Sequence, residues 1–292
     1  LLPTLVQLQS DITSPFPPLD LMVHIGEISA ASFNDTIPAK EVWRVSEDGE
    51  LRDPFKKLTT VFQMSEEMFF LHYGKDGCNR HVLIDECREL FGEIYEQIPE
   101  LPFCNIWTAM QLSSRLPKGA MFQLPESVES ACNVGCCGID GCVSTLVGAS
   151  LVNPDRLCYV VVGDLTFFYD LNSLGNHHIG TNLRVMLVNN GRGTEFRLGI
   201  HHCNVFGDDA DKYMAAAGHF GNKSPLLVKH YAEDLGFHYL SATTKEEFMT
   251  ALSNFTNPQL SDHSMILEVF TDSKDESEAL YLMSHIQSDA KG

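Results

Sequence analysis

Two short polar clusters, each at the end of an apolar run, carry residue types suited to a metal-bound phosphate. Leu157 to Val162 leads into Gly163-Asp164, and Leu183 to Val188 leads into Asn189-Asn190. Asp164 offers a carboxylate and Asn190 an amide oxygen, and the glycines around them let the backbone approach a ligand closely. Only hard oxygen donors are on offer, a set that suits Mg²⁺ with positions left for water and phosphate. A third cluster, Gly138-Ile139-Asp140-Gly141, is small and flexible and runs into Leu146 to Leu151. It reads as a loop opening a helix, with Asp140 near the start and backbone donors turned toward an anion.

The elements that must position these residues follow from the patterning. The runs on either side of Asp164 and Asn190 predict a βαβ unit across the 190 − 164 = 26 positions between them. Its parallel strands would deliver both residues to one sheet edge, where open α/β sheets bind ligands. Further strands are expected at Asp20 to Glu27, Glu41 to Val45 and Met265 to Phe270, with a short one at Tyr239-Leu240. Weaker alternation at Lys57 to Met64 and Met68 to His72 predicts an edge strand each, and Ala120 to Leu124 a short strand. Helical spacing of Val82, Leu83, Cys87, Leu90, Phe91, Ile94 and Ile98 predicts an amphipathic connecting helix over Arg80 to Ile98. Asn105 to Leu116, Lys229 to Leu235, Lys245 to Phe255 and Glu276 to Ile286 read as helices. The irregular stretch from Thr194 to Gly221 reads as an active-site loop or lid. The fold class expected is α/β, with a partial Rossmann-like domain over 1–78, a connecting helix over 79–100 and a second domain over 101–292, a parallel sheet flanked by helices.

Composition narrows the function classes. The 292-residue chain is 44% hydrophobic, enough for real cores. Its 39 acidic against 20 basic side chains, a formal charge of −19, argue against nucleic-acid or anionic-membrane surfaces. Small-molecule chemistry remains. Nine cysteines, scattered through apolar stretches, fit a reducing, cytoplasmic setting. No apolar run reaches the roughly 18 residues of a spanning helix, and no secretion signal opens the sequence. Residue 1 is Leu, and the first residues read as a fragment of a longer chain.

The nesting of Gly163-Asp164 and Asn189-Asn190 within GIDGCVSTLVGAS and VVGDLTFFYDLNSL resembles the signature of thiamine-diphosphate-dependent enzymes. Within them it is similar to the diphosphate-binding domain of the 2-succinyl-5-enolpyruvyl-6-hydroxy-3-cyclohexene-1-carboxylate synthases of menaquinone biosynthesis. The resemblance implies that Asp164, Asn190 and the carbonyl of Arg192 hold Mg²⁺, which grips the diphosphate of thiamine diphosphate. Gly163, Leu165, Thr166 and Gly193 would line the diphosphate, and Gly138, Ile139 and Asp140 the aminopyrimidine side. Glu195, Phe196 and Arg197 would face the substrate. The implied reaction is decarboxylation of 2-oxoglutarate and addition of the product carbanion to isochorismate, in a homodimer or homotetramer. The sequence departs from the family at Val134, where an arginine would clamp a substrate carboxylate, and in a short loop at Met121-Phe122. The glutamate that activates the cofactor belongs to an N-terminal domain absent from this sequence, so the chain alone is expected to be inactive. The alternatives are a related 2-oxo acid decarboxylase or carboligase, for instance of surface-polysaccharide synthesis, and a non-catalytic cofactor-binding subunit.

Plainer roles compete at several positions. Asp and Asn at strand ends also cap turns. His177-His178 are expected on the crossover helix in a surface or packing role. His201-His202-Cys203 and His219 lack the paired spacing of a zinc site. Cys132, Cys136, Cys137 and Cys142 read as small buried residues, and Phe167-Phe168 as core. Arg184 and Arg197 are the basic candidates near the predicted site.

Overall fold

A computed structural model describes residues 19–25, 39–74, 95–117, 139–194, 202–213 and 224–286, together with positions 85, 89, 92 and 93. The chain divides into two compact units, one taking in the described residues up to Pro99 together with 283–286, the other those from Glu100 to Leu282.

The first unit carries three parallel strands in the order β1 (Leu19–Ile25), β2 (Ala39–Ser46) and β3 (Leu58–Gln63). The stretch from Met68 to His72, expected as an edge strand, is instead part of helix α1 (Glu66–Tyr73). Ser65 explains the difference: its side chain accepts from the Met68 N–H at 3.3 Å, and Glu66 and Glu67 follow in the first turn, where the helix dipole favours anions. Phe69, the buried residue of α1, meets Phe62 of β3 edge to face at 5.1 Å. Of the expected connecting helix, the described positions 85, 89, 92, 93, 95 and 96 are helical and exposed, and most of its apolar positions lie outside the described residues.

The second unit is built on four parallel strands in the order β4 (Cys158–Gly163), β5 (Leu183–Asn189), β7 (Met265–Phe270) and β6 (His238–Ala242). Every residue of β5 is buried, as a central strand covered on both faces requires. One face packs Met186, Val188, Leu267 and Val269 against α2 (Asn105–Ser113) and α6 (Lys245–Phe255), through Leu112, Phe248, Leu252 and Phe255. The other packs Val185, Leu187 and Ile266 against α3 (Cys142–Val152), α4 (Asp164–Tyr169) and α5 (Leu227–Asp234), through Val143, Val147, Phe167 and Val228. Helix α7 (Ser273–Ser284) follows β7. The expected α/β architecture, parallel sheets flanked by helices, is what the structure shows.

The link from β4 to β5 is shorter in helix than expected. α4 ends after six residues at Asp170, a 3₁₀ turn covers Leu171–Gly175, and His177-His178 lie beyond it in an exposed turn rather than on a crossover helix. Asp170 is the physical cause. Its carboxylate leaves the helix line to accept from the Ser144 N–H of α3 at 2.6 Å, and Asn172, Ser173 and Gly175 are poor helix formers. Among the described residues no helix is long and apolar enough to cross a membrane.

Candidate functional site

β4 and β5 pair in parallel with Gly163 opposite Val188, so their carboxyl ends open at the same edge of the sheet. Asp164 follows immediately and is buried, 2% exposed. One carboxylate oxygen, Oδ2, accepts from the Gly191 N–H at 2.6 Å, and Oδ1 accepts from the Leu165 N–H at 2.7 Å. Asp164 therefore ties the end of β4 to the loop after β5. That loop turns at Gly191, whose φ of +82° is a conformation that glycine adopts without strain.

Asn190 is held on every side of its amide. Its Oδ1 accepts from the Arg192 N–H at 3.0 Å, while Nδ2 donates to Thr194 Oγ1 at 2.7 Å and to Glu276 Oε2 at 2.8 Å. Glu276, buried on the first part of α7, also accepts from the Thr194 hydroxyl at 2.8 Å through Oε2 and from the Thr271 hydroxyl at 2.7 Å through Oε1. Since β7 lies beside β5, three neighbouring strands deliver Asp164, Asn190 and Glu276 to one edge. Sequence reasoning missed Glu276, Thr194 and Thr271. The available signal was position: Thr271 follows directly on a strongly apolar strand, and Glu276 comes six residues after that strand ends.

A second polar group lies just inside the same edge. Asn189 Nδ2 donates to Glu268 Oε1 at 2.7 Å, and the Tyr239 hydroxyl donates to Glu268 Oε2 at 2.7 Å. Burial raises the pKa of Glu268 against the lowering effect of those two donors, and burial together with Glu268 raises that of Tyr239. Asn189 Oδ1 is buried with no hydrogen-bond partner among the described residues, an acceptor left without a donor.

Other expected positions distribute around this edge. Leu165 and Thr166 open α4, and Arg192 and Gly193 continue the Asn190 loop. The Leu165 N–H, expected to face phosphate, is engaged by Asp164. Ile139 and Asp140 are exposed ahead of α3, whose N-cap is Gly141 with φ +80° and no side-chain cap, so Asp140 does not cap it. Gly138, Glu195, Phe196, Arg197, Val134, Met121, Phe122, Cys132, Cys136, Cys137, His201 and His219 lie outside the described residues, as does the expected strand at 120–124. Arg184 is not near the site. It sits at the start of β5, six residues or roughly 20 Å of strand before Asn190, and is fully buried, donating to the carbonyls of Thr181 and Leu183 and to Ser261 Oγ at 2.8–3.0 Å. A cavity of about 470 Å³ lined by Thr181, Asp234, Gly236 and His263 also opens at that opposite edge, where the residues precede β5, β6 and β7. Open α/β sheets bind ligands at the other edge, outside the carboxyl ends of the strands.

The donor set at that edge fits a hard divalent cation. Asp164 brings a carboxylate whose two oxygens meet the Gly191 and Leu165 N–H groups, and Asn190 brings an amide oxygen that meets the Arg192 N–H while both amide hydrogens are engaged by Thr194 and Glu276. Among the described residues no three His, Cys, Asp or Glu side chains group to hold a metal.

No family model matches the chain. Curated proteins do. The chain is 32% identical over 263 residues to 2-succinyl-5-enolpyruvyl-6-hydroxy-3-cyclohexene-1-carboxylate synthase of Bacteroides fragilis, covering 83% of this chain and 45% of that one. The synthase of the same name from Phocaeicola vulgatus is 30% identical over 265 residues, 83% of this chain and 44% of the relative. That of Christiangramia forsetii is 35% identical over 191 residues, 64% of this chain and 30% of the relative. This chain thus spans less than half the length of the relatives it matches.

Proposed function

We propose, on the premise that this chain is a relative of the 2-succinyl-5-enolpyruvyl-6-hydroxy-3-cyclohexene-1-carboxylate synthases, that it forms the metal- and diphosphate-holding part of such a synthase, acting on 2-oxoglutarate and isochorismate. The observation that carries this reading is the Asp164 carboxylate closed onto Gly191 beside Asn190. It supplies one carboxylate and one amide oxygen at the carboxyl edge of a parallel sheet. Asp164, Asn190 and the Arg192 carbonyl would hold Mg²⁺, and Mg²⁺ would hold the diphosphate of thiamine diphosphate. Bound there, the cofactor supplies the electron sink for decarboxylation and carbon–carbon bond formation.

The chain's own residues then have plain tasks. Asp164 contributes the only carboxylate of the proposed metal shell, and its hydrogen bond to Gly191 keeps the two strand ends together. Asn190 presents its oxygen with the amide already oriented. Glu195, Phe196 and Arg197 are proposed for the substrate side, with Arg197 as partner for a substrate carboxylate. Activation of the cofactor would come from an N-terminal domain in a neighbouring subunit, so the working unit is a homo-oligomer.

The test is turnover by the full-length protein given thiamine diphosphate, Mg²⁺, 2-oxoglutarate and isochorismate. Formation of the succinyl adduct with release of carbon dioxide is expected. Release of carbon dioxide from a different 2-oxo acid only would instead favour the related carboligase to which Val134 points. Absence of turnover with any 2-oxo acid would leave the cofactor-binding subunit.

A further inference from the structure

We infer that Glu276 is a positioning residue for the metal site, setting the orientation of the Asn190 amide so that its oxygen, not its nitrogen, is presented to the cation. The inference rests on the proposed Mg²⁺ site, and goes beyond it to a residue on the helix that follows a different strand. An asparagine amide is nearly symmetric in shape. Which end faces a metal is decided by its neighbours. Here both hydrogens of Nδ2 are taken, one by Thr194 Oγ1 at 2.7 Å and one by Glu276 Oε2 at 2.8 Å. A carboxylate can only accept, so the nitrogen must face Glu276 and the oxygen must turn away from it, to the side where the Arg192 N–H meets it at 3.0 Å.

Glu276 is itself held tightly enough to act as a reference. It is 3% exposed, and the hydroxyls of Thr271 and Thr194 donate to its two oxygens at 2.7 and 2.8 Å. Thr271 follows β7 directly and Glu276 lies in the first turn of α7, and β7 pairs with β5 in register from Arg184 opposite Met265 to Asn189 opposite Phe270. A residue outside the Gly163–Gly193 stretch therefore governs a ligand inside it. The role differs from general support of the fold, because what it controls is the identity of one ligating atom.

The experiment separates reach from charge. Glu276→Gln keeps the side-chain length; its oxygen can accept from Asn190 and Thr194 while its nitrogen donates to the Thr271 hydroxyl. Glu276→Asp keeps the charge and shortens the reach by one methylene. The probe is Mn²⁺, which suits the same oxygen ligands as Mg²⁺, added to the full-length protein with thiamine diphosphate and followed by the electron paramagnetic resonance of free Mn²⁺. Thermal melting of each metal-free variant is measured alongside. The expected result is Mn²⁺ affinity within about threefold of wild type for Glu276→Gln and a loss of tenfold or more for Glu276→Asp. Wild-type affinity in Glu276→Asp would overturn the inference, as would an equal loss in both variants. So would lowered melting temperatures with unchanged affinity, the mark of a purely structural role. Absence of Mn²⁺ binding by the wild-type protein would be a distinct result, striking the metal site itself.

Discussion

Tyr159 and Arg184 face each other across β4 and β5, both buried, with no carboxylate bonded to the arginine among the contacts described. Burial pushes the Tyr159 phenol up to about 12 from an ordinary 10.0, against the lowering pull of the Arg184 charge. Burial also lowers the pKa of Arg184. The sign of the consequence is fixed: between the unfolded and folded tyrosine values the folded chain binds more protons, so stability is full below pH 10 and falls as pH rises toward 12. Urea unfolding across that window should show the decline, and Tyr159→Phe should flatten it although it removes the 3.2 Å bond to the Phe255 carbonyl. An unchanged slope in the variant would contradict the assignment. Arg184 also shows what residue type alone conceals. Basic and close in sequence to Asn190, it reads from sequence as a candidate near the site, yet a residue at the start of a parallel strand cannot reach the edge where that strand ends. Asp164 and Asn190 were legible because glycine and a polar residue ended each apolar run. Glu276 was not, because its partner is separated from it by 276 − 190 = 86 positions.

Asn182 joins elements rather than residues. Its buried Nδ2 lies 3.0–3.1 Å from the carbonyl oxygens of Ser150, Asn153 and Arg156, tying the end of α3 and the turn before β4 to the start of β5. Asn182→Ala leaves those carbonyls short of a donor, and a loss of about 1–3 kcal/mol is expected in chemical denaturation. A change under about 0.5 kcal/mol would mean that water replaces the amide, since that is the range of a surface substitution. Elements with strong local signals were readable to the residue. Lys245–Phe255 forms as expected because Thr244 accepts from the Glu247 N–H at 3.2 Å while the Glu247 carboxylate reaches back to the Thr243 N–H at 2.8 Å. Met265–Phe270 forms as expected because its apolar run is continuous. The misread elements were those decided by one side chain. Ser65 turned an apolar stretch into α1, and Asp170, drawn to Ser144 on another helix, cut α4 short.

At the scale of the whole molecule the chain is strongly acidic, with a formal charge of −19, and it spans about 45% of the Bacteroides fragilis relative. Two buried carboxylates, Asp164 and Glu276, gather at one edge of its second sheet, and a bound divalent cation would offset that charge at the edge where phosphate would approach. The central claim is that this edge holds thiamine diphosphate through Mg²⁺, with Asp164 as the one carboxylate ligand. Calorimetric titration of thiamine diphosphate into the full-length protein, with Mg²⁺ present and with Mg²⁺ removed by chelation, tests it against the same titration of Asp164→Ala. Mg²⁺-dependent binding by the wild-type protein is expected, with a loss of at least about a hundredfold in affinity, about 2.7 kcal/mol, in the variant. Unchanged affinity in Asp164→Ala would contradict it.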